Sequence, residues 1–316
     1  MKILVTGANG FIGSHLFRTL VRMGHECMGM DSLFIENDYG WTYKFAEENS
    51  NAQFFLGIEG DCSIGWNVFK ICKNFNPDMI FNLAVMCLPH SLVEPIENYS
   101  KNVEMTKNIV QEATKRNIRL VHFSSSEVYG SVENQAISEK CRLNPSTPYA
   151  AAKAACDHLV LSMVKTFELD ATIIRPFNTY GPGQNDNTYA AVVPIFIKTL
   201  LEGKTPKITG DGQQTRDMNY VTDIVDAAIL VGERGKAGEV YNACSGEPIS
   251  INQILCWIAE SMGIREIDVE YIDKRKGDVR QHMGDNGKIR SEIGWKPIVN
   301  MEDGLRETIE WYKGKV

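Results

Sequence analysis

The sequence of 316 residues lacks the features that mark membrane, secreted and nucleic-acid-binding proteins. No apolar run approaches the roughly 20 residues that span a bilayer, and the first residues contain no basic, apolar, cleavable leader. Acidic residues (40) outnumber basic ones (33), and the net charge of −7 disfavours a nucleic-acid partner. Internal repeats and low-complexity stretches are also missing. We therefore expect a cytoplasmic protein.

The eight cysteines contain no Cys-x-x-Cys pair of the kind that binds zinc or performs redox chemistry. Several of them, such as Cys72, Cys156 and Cys256, lie within apolar segments. We predict reduced thiols in the core, with neither disulfides nor metal ligands among them.

Strand-like and helical segments alternate through the first half of the chain. Predicted strands at 52–56, 79–82, 119–124 and 171–175 are separated by helical stretches near 66–75, 98–116 and 149–168. This alternation predicts an α/β fold, a Rossmann doubly wound parallel sheet with helices on both faces. Ligands of such sheets bind beyond the carboxyl ends of the strands.

The length favours a second lobe beside this domain. After residue 175 the chain turns to glycine, proline and polar residues, followed by an apolar helix near 191–201. Segments near 221–233 and 239–243 resemble a helix and a strand that rejoin the first domain. We predict a Rossmann domain over 1–175 plus about 216–245, and a smaller discontinuous substrate lobe over 176–215 and 246–316. A cleft between two lobes commonly binds small molecules.

A glycine-rich turn, Gly7-Ala-Asn-Gly10-Phe-Ile-Gly13, joins the first strand to a helix. Gly7 permits the tight turn, Gly10 lets the backbone approach a pyrophosphate, and Gly13 lets the helix pack closely on the sheet. The helix N-terminus attracts the anion. Asp31 ends the second strand, where a carboxylate would accept hydrogen bonds from a ribose 2′-hydroxyl and repel a 2′-phosphate. The pattern favours NAD over NADP.

The segment Tyr149-Ala-Ala-Ala-Lys153 places a phenol and an ammonium group on one face of a predicted helix. Ser146 or Thr147 can cap this helix, and Pro148 suits its first turn. Because a nearby ammonium favours the phenolate, Tyr149 could act as a base toward an alcohol. The same spacing is common on helix surfaces, and the alanines also suit helix–helix packing.

Seven ordered motifs give a more specific interpretation. Besides the glycine turn and the Tyr149/Lys153 pair, they are Asn82-Leu-Ala84, Asn102-Val103 with Thr106, Ser124-Ser-Ser-Glu-Val-Tyr-Gly130, Arg175-Pro-Phe-Asn-Thr-Tyr-Gly-Pro182 and Thr215-Arg-Asp-Met-Asn-Tyr-Val-Thr-Asp223. Over nearly its whole length the chain resembles the extended short-chain dehydrogenase/reductase family, specifically its NAD-dependent nucleotide-sugar epimerases and dehydratases. The resemblance implies NAD as cofactor, a nucleoside-diphosphate sugar as substrate, and a homodimer.

The resemblance also implies roles for individual residues. It assigns cofactor contacts to Gly7, Gly10, Phe11, Ile12, Gly13, Asp31, Asp61, Leu83, Ala84, Asn102, Tyr149 and Lys153. Asp61 matches an adenine contact, although it could be a plain turn residue. Lys153 matches the residue that holds the nicotinamide ribose and keeps Tyr149 acidic.

On the substrate side, Ser125 matches the serine that hydrogen-bonds the sugar C4 hydroxyl, and Asn178 matches a substrate-contacting asparagine. Arg216 and Arg280 match arginines that contact the diphosphate, for which the guanidinium fork is suited. Arg280 could instead belong to a solvated basic face at 274–280. Ser126 is a further substrate candidate that could simply satisfy backbone groups.

Oxidation at C4 opens three outcomes: return of the hydride on the other face, loss of water across C5 and C6, or loss of carbon dioxide from a C6 carboxylate. Glu127 lies where family dehydratases and decarboxylases carry a glutamate that serves C5 or positions water. It could also cap a turn or pair with Arg142. The dehydratases acting on dTDP-glucose carry an aspartate just before that glutamate, and here the residue is Ser126, a poor acid.

The segment 85–95 resembles the loop of epimerases and dehydratases more than that of decarboxylases. Asn185 and Asn187 supply no positive charge for a uronic acid carboxylate, which favours a neutral hexose or N-acetylhexosamine. His90 could contact the sugar, although a lone loop histidine usually does not.

Three hypotheses follow for the function. The first is a 4-epimerase, and the second is a dehydratase or decarboxylase that uses Glu127 after the same oxidation. The third is a non-catalytic nucleotide-binding protein, which would have no use for an intact set of Ser125, Tyr149 and Lys153.

Overall fold

The computed structural model describes residues 1–33, 41–132, 135–186, 190–274 and 279–314. The strands, in chain order, are β1 (Lys2–Thr6), β2 (Glu26–Asp31), β3 (Ala52–Leu56), β4 (Met79–Asn82), β5 (Arg119–Phe123), β6 (Ala171–Pro176), β7 (Asn178–Tyr180), β8 (Lys207–Thr209), β9 (Thr215–Tyr220), β10 (Val240–Ala243), β11 (Pro248–Ser250) and β12 (Glu270–Ile272). The α-helices are α1 (Phe11–Arg22), α2 (Trp41–Glu47), α3 (Gly65–Phe75), α4 (Leu88–Ser91), α5 (Pro95–Arg116), α6 (Pro148–Phe167), α7 (Val192–Leu201), α8 (Val221–Arg234), α9 (Ile251–Ser261), α10 (Gly287–Glu292) and α11 (Met301–Lys313).

Seven of these strands form a parallel sheet in the order β10-β6-β5-β4-β1-β2-β3. Thr6, the last residue of β1, is in register with Met30 on one side and with Asn82 on the other. Asn82 is in turn in register with His122. The carboxyl ends of four neighbouring strands therefore meet at one edge, as predicted for a Rossmann fold.

Each face of the sheet is covered by its own hydrophobic cluster, which explains why the central strands are almost continuously apolar. One cluster packs α1 and α8 on the sheet through residues such as Leu16, Phe17 and Ile224. The other packs α3, α5 and α6 through residues such as Ile71 and Ile109. These two layers confirm the predicted doubly wound α/β architecture.

The remaining chain builds smaller sheets around a third cluster. Strands β7, β9 and β11 form one sheet, in which β7 pairs parallel and β11 antiparallel with β9, while β8 and β12 pair parallel. Helices α7, α9 and α11 pack there through residues such as Phe196, Ile254 and Leu305. This lobe faces the carboxyl edge of the large sheet.

Two features bear on the predicted lobe boundaries. Strand β9 lies in the small sheet, although it falls within the segment 216–245 that was assigned to the Rossmann domain. Conversely, the core of the large sheet includes Ile289, Ile293 and Trp295, although the segment 246–316 was assigned to the substrate lobe. The division into two lobes stays a prediction at these edges.

All eight cysteines are free thiols in this structure. Burial is less uniform than predicted, because Cys256 is exposed on α9. Within the described ranges, histidine, cysteine and carboxylate side chains form no group of three or more that could hold a metal ion. None of the helices in these ranges combines the length and apolar character that a membrane span needs.

Candidate active site

The glycine-rich turn connects β1 to α1 at the carboxyl edge of the sheet. Gly7 has a φ of +66°, which favours glycine, and a Cβ there would come within 2.9 Å of the backbone of Leu83 and Ala84. A Cβ on Gly13 would collide with the carbonyl oxygen of Gly7. Gly13 therefore allows α1 to start directly behind the turn, which refines its predicted role in packing against the sheet.

Gly10 is the N-cap of α1, and its amide donates a 3.0 Å hydrogen bond to the carbonyl oxygen of Gly7. The side chains of Phe11 and Ile12 pack against the hydrophobic cluster of the small lobe. These two residues, with Gly13, can offer a ligand the backbone amides of the first helical turn, which have no acceptor within the helix.

Beside the turn lies a pocket of about 210 Å³, here called the adenosine pocket. Its walls include Gly7, Gly10, Asp31, Asp61, Ala84, Lys101 and Met105. The Asp31 carboxylate accepts hydrogen bonds of 2.9 Å from the amides of Asn9 and Leu33. Burial raises the pKa of Asp31, and these hydrogen bonds oppose the rise. A carboxylate held in this way can accept hydrogen bonds from a ribose.

The side-chain amide of Asn102, a predicted cofactor contact, is hydrogen-bonded within the protein. Its Oδ1 accepts a 2.9 Å hydrogen bond from the Met86 amide, and its Nδ2 donates to the Met86 carbonyl at 3.1 Å and to Asn98 Oδ1 at 3.0 Å. The buried amide thus holds the loop that forms a wall of the adenosine pocket. Leu83 and Ala84 begin that loop, and the Ala84 amide donates to Thr6 Oγ1 at 3.1 Å.

The catalytic candidates meet on α6 and on the turn after β5. Helix α6 is capped by Thr147, whose Oγ1 accepts a 3.2 Å hydrogen bond from the Ala150 amide. Two residues after Thr147, in the first turn of α6, the half-buried Tyr149 phenol is hydrogen-bonded to the Ser125 hydroxyl. The Lys153 ammonium is buried and donates a 2.7 Å hydrogen bond to the Phe123 carbonyl. The predicted trio is therefore brought together.

The electrostatics at Tyr149 differ from the sequence-based expectation. Burial raises the pKa of the phenol, the Glu127 carboxylate raises it further, and the hydrogen bond from Ser125 is the interaction that opposes both. Burial also lowers the pKa of Lys153. The pKa of Tyr149 is therefore raised, while the Lys153 ammonium donates its hydrogen bond to the Phe123 carbonyl.

A pocket of about 230 Å³, here called the sugar pocket, lies directly at these groups. It is lined by Val85, Cys87, Leu88, Ser125, Ser126, Glu127, Tyr149, Pro176, Phe177 and Asn178. Asn178 Oδ1 is buried without a hydrogen-bond partner among the residues that the structure describes. A buried acceptor without a hydrogen-bond partner costs free energy. A ligand hydroxyl that donates a hydrogen bond to this amide oxygen would remove that cost.

The sugar pocket opens into a larger cavity of about 460 Å³ between the two lobes. Glu127, Asn178 and Cys87 line both, and the far walls include Thr147, Gln184, Phe196, Lys207 and Arg216. Arg216 is held in part by hydrogen bonds from its Nη1 to the carbonyls of Thr215 (2.8 Å) and Val279 (2.7 Å). Arg216 thus lies in the wall of this cavity, and its contact with a diphosphate stays a prediction.

Arg280 is placed differently. Its guanidinium makes a two-pronged ion pair with Asp211, with Nη1–Oδ1 and Nη2–Oδ2 distances of 2.6 and 3.0 Å, and both side chains are exposed. It is not among the residues that line the described walls of the large cavity. The diphosphate contact of Arg280 therefore stays a prediction that requires release from Asp211. Of the two asparagines in the polar stretch, Asn185 is described and Asn187 lies outside the described residues.

Sequence reasoning missed several wall residues. Lys101 lines the adenosine pocket and immediately precedes Asn102 on α5. The motif that contains Asn102 and Thr106 therefore indicated the helical turn that lines the pocket, but not the lysine. Lys207 and Gln184 line the large cavity, but they belong to segments without a recognisable pattern. His90, a weak candidate for a sugar contact, is buried in α4 with Nδ1 3.5 Å from Asn98 Nδ2.

The residues fit NAD. The close glycine turn, the first-turn amides of α1 and the Asp31 carboxylate match a pyrophosphate and an adenosine ribose. Val85 lines both the adenosine pocket and the sugar pocket at Tyr149. Together with the Ser125–Tyr149–Lys153 arrangement, this fold and site define the class of NAD-dependent enzymes that oxidise a hydroxyl group.

Comparisons with known proteins narrow this class. The model of the NAD dependent epimerase/dehydratase family matches residues 3–244. The chain is 34% identical to UDP-glucose 4-epimerase of Mycolicibacterium smegmatis, covering 100% of this chain and 99% of the relative. It is 32% identical to dTDP-glucose 4,6-dehydratase of Haemophilus influenzae, with 99% and 98% covered. The structure of UDP-glucose 4-epimerase from Thermotoga maritima superposes with a TM-score of 0.91 at 30% identity, with 100% and 99% covered.

The chain therefore belongs to the NAD-dependent epimerase/dehydratase family, within the extended short-chain dehydrogenases/reductases. This confirms the resemblance and the NAD cofactor. Both epimerases and dehydratases occur among relatives of similar identity, so family membership leaves the reaction after C4 oxidation open.

Proposed function

We propose that this protein is a nucleoside-diphosphate-sugar 4-epimerase that keeps NAD as a regenerated cofactor. The proposal rests on which acidic side chains line the sugar pocket. Among its described lining residues, Glu127 is the only carboxylic acid, and Ser126 stands beside it where an eliminating enzyme of the family has an aspartate. Elimination of water needs a base at C5 and an acid at the leaving 6-hydroxyl, whereas epimerisation at C4 needs neither.

The residues of the chain have distinct roles in this proposal. Tyr149 accepts the proton of the 4-hydroxyl, Ser125 donates a hydrogen bond that stabilises the phenolate, and Lys153 holds the nicotinamide ribose. Bound NAD supplies the hydride acceptor and a positively charged ring that favours the phenolate. After the 4-keto sugar turns over in the pocket, C4 would take the hydride back on its other face, and Tyr149 returns the proton to the C4 oxygen. Asn178 Oδ1 offers an acceptor for a sugar hydroxyl.

The proposed substrate is a neutral hexose or N-acetylhexosamine carried on a nucleoside diphosphate. The described walls of the sugar pocket contain no lysine, arginine or histidine that would pair with the carboxylate of a uronic acid, and Glu127 would repel it. Arg216, in the wall of the connected cavity, offers a charge for the diphosphate. A homodimer and a cytoplasmic location stay predictions.

The alternative is a 4,6-dehydratase or a decarboxylase that uses Glu127. It is favoured by the position of this carboxylate, which lines both the sugar pocket and the larger cavity. Incubation with UDP-, dTDP-, GDP- and CDP-sugars, followed by mass spectrometry and NMR, separates the possibilities. A product of unchanged mass with inverted C4 coupling supports the epimerase, whereas loss of 18 or 44 mass units, about that of water or carbon dioxide, supports the alternative.

A further inference from the structure

A chain of buried polar groups runs beneath the catalytic helix from the adenosine pocket. The Ala84 amide donates to Thr6 Oγ1 (3.1 Å), the Thr6 hydroxyl donates to Asn82 Oδ1 (2.8 Å), and Asn82 Nδ2 is 3.1 Å from His122 Nδ1. Because an amide nitrogen can only donate, Nδ1 must accept and the ring hydrogen must lie on Nε2. His122 Nε2 faces Asp157 Oδ1 at 3.9 Å.

Asp157 lies one helical turn after Lys153 on α6 and is fully buried. Its Oδ2 accepts two hydrogen bonds from Arg175, at 3.0 Å from Nε and 2.8 Å from Nη2. Arg175 also donates from Nη1 to the Tyr129 hydroxyl at 2.7 Å. The carboxylate is therefore fixed from β6 by Arg175 and faced from β5 by the neutral ring of His122.

Two cations and one anion share this dry environment. Arg175 pairs with Asp157 at 2.8 Å, and Lys153 lies one helical turn from Asp157. Burial raises the pKa of Asp157, and the charges of Arg175 and Lys153 oppose that rise. The other titratable groups around the pair are Cys156 on the same helix and His122, whose pKa burial holds well below its usual range. Burial penalises the Lys153 ammonium, and the negative charge of Asp157 opposes that penalty.

We propose that Asp157 is a positioning residue for catalysis, whose buried carboxylate, one helical turn from Lys153 on α6, keeps Lys153 in the ammonium form. Arg175 holds this carboxylate in place through its two hydrogen bonds to Oδ2. Removal of its charge leaves two buried cations without this anion, and Lys153 is the one that can release a proton, since arginine does not. The inference rests on membership in the NAD-dependent family and is independent of whether C4 oxidation ends in epimerisation.

The direct test follows the charge of Lys153 by NMR in the NAD-saturated protein labelled with [13Cε]lysine, with Lys153→Met assigning the resonance. In Asp157→Asn, the Lys153 titration is expected to move to lower pH by about one unit or more. A matched control is Glu104→Gln, which removes an exposed carboxylate 2.7 Å from Lys107 on α5 and should leave Lys153 unchanged. A Lys153 titration that is the same in Asp157→Asn and in the wild type overturns the proposal.

Activity provides a second readout with the nucleotide sugar that the wild-type enzyme converts. Loss of the ammonium charge disfavours the Tyr149 phenolate, so the acid limb of kcat/KM in Asp157→Asn should move to higher pH. A merely structural role would lower kcat/KM without moving this limb, and that result contradicts the proposal. Asp157→Glu, which retains the charge, should return the limb toward its wild-type position.

Asp157→Asn leaves Arg175 buried without its partner, which alone can prevent folding. The double variant Asp157→Asn/Arg175→Met removes both charges of the pair and avoids that cost. Because the repulsion by Arg175 is removed as well, the Lys153 titration should be lowered by less than in Asp157→Asn, and an unmoved titration contradicts the proposal.

Discussion

Ser125 and Tyr149 are joined by a hydrogen bond between their hydroxyl groups at the edge of the sugar pocket. This contact links the turn after β5 to helix α6, and it is the interaction that stabilises the phenolate against burial and the nearby Glu127 carboxylate. Ser125 also accepts a 3.2 Å hydrogen bond from the Glu127 amide, which fixes its side chain. The reacting groups are thus oriented by the protein before a substrate arrives.

Tyr149→Phe should lower turnover by about 100-fold to 10,000-fold, the usual contribution of general acid–base catalysis. NAD binding, measured by calorimetry, should be retained because the change removes only the hydroxyl. Tyr99→Phe, on the exposed surface of α5, is the matched control and should leave turnover unchanged. Turnover within a few-fold of wild type in Tyr149→Phe would rule out the assigned base.

Glu127→Gln distinguishes the two candidate reactions. A 4-epimerase should keep kcat within about tenfold of wild type, since the carboxylate performs no proton transfer in epimerisation. Because the Glu127 charge raises the pKa of Tyr149, its removal should also move the acid limb of kcat/KM to lower pH. A collapse of activity across the whole pH range would instead assign chemistry to Glu127.

Gly13→Ala tests the packing of α1 against the glycine turn. The added Cβ would collide with the carbonyl oxygen of Gly7, and relief of such overpacking typically costs about 1–3 kcal/mol. We expect a lower Tm and weaker NAD binding. Gly314→Ala is the matched control, because its Cβ would meet nothing closer than 3.6 Å. Equal Tm values for the two variants would contradict this account of the turn.

His282 makes the stability of the protein depend on pH. Burial, with a smaller contribution from Arg216, lowers the pKa of this fully buried imidazole to about 4. The unfolded chain, with a pKa near 6.5, therefore binds the proton first as the pH falls, and stability is lost between pH 6.5 and 4. The loss from pH 7 to 4.5 should be about 2 kcal/mol for this group.

His282→Phe is the variant for this test, since the ring stacks on Phe177 with a centroid distance of 4.8 Å and a phenyl ring retains that contact. Urea unfolding at pH 7 and pH 4.5 should show a smaller difference in the free energy of unfolding than in wild type. An unchanged difference would mean that His282 does not titrate as stated.

The large sheet and the cofactor turn could be predicted from sequence because their signals are local. Buried parallel strands are short apolar runs. Each glycine of the turn was predicted from a backbone requirement, and for Gly7 and Gly13 the structure shows that a Cβ would come too close to neighbouring backbone atoms. The small lobe could not be predicted in detail. Its strands β7, β8, β11 and β12 have three residues each, too few to show a period.

Side-chain roles were harder to predict than side-chain locations. Asn102 was placed at the cofactor site, but its amide serves the Met86 backbone, a long-range pairing that no sequence pattern records. Arg280 was assigned to the diphosphate by family resemblance, and the structure pairs it with Asp211 from a distant segment. Cys256 was predicted to lie in the core because its neighbours in the sequence are apolar. The structure places it on the exposed face of α9.

The most direct test of the central claim is the reaction in D2O with the nucleotide sugar that the enzyme converts, followed by NMR. A 4-epimerase returns the hydride to the carbon that lost it, so the account predicts a product of unchanged mass, inverted at C4 and without deuterium on carbon. A product that has lost water or carbon dioxide and carries solvent deuterium at C5 would contradict it.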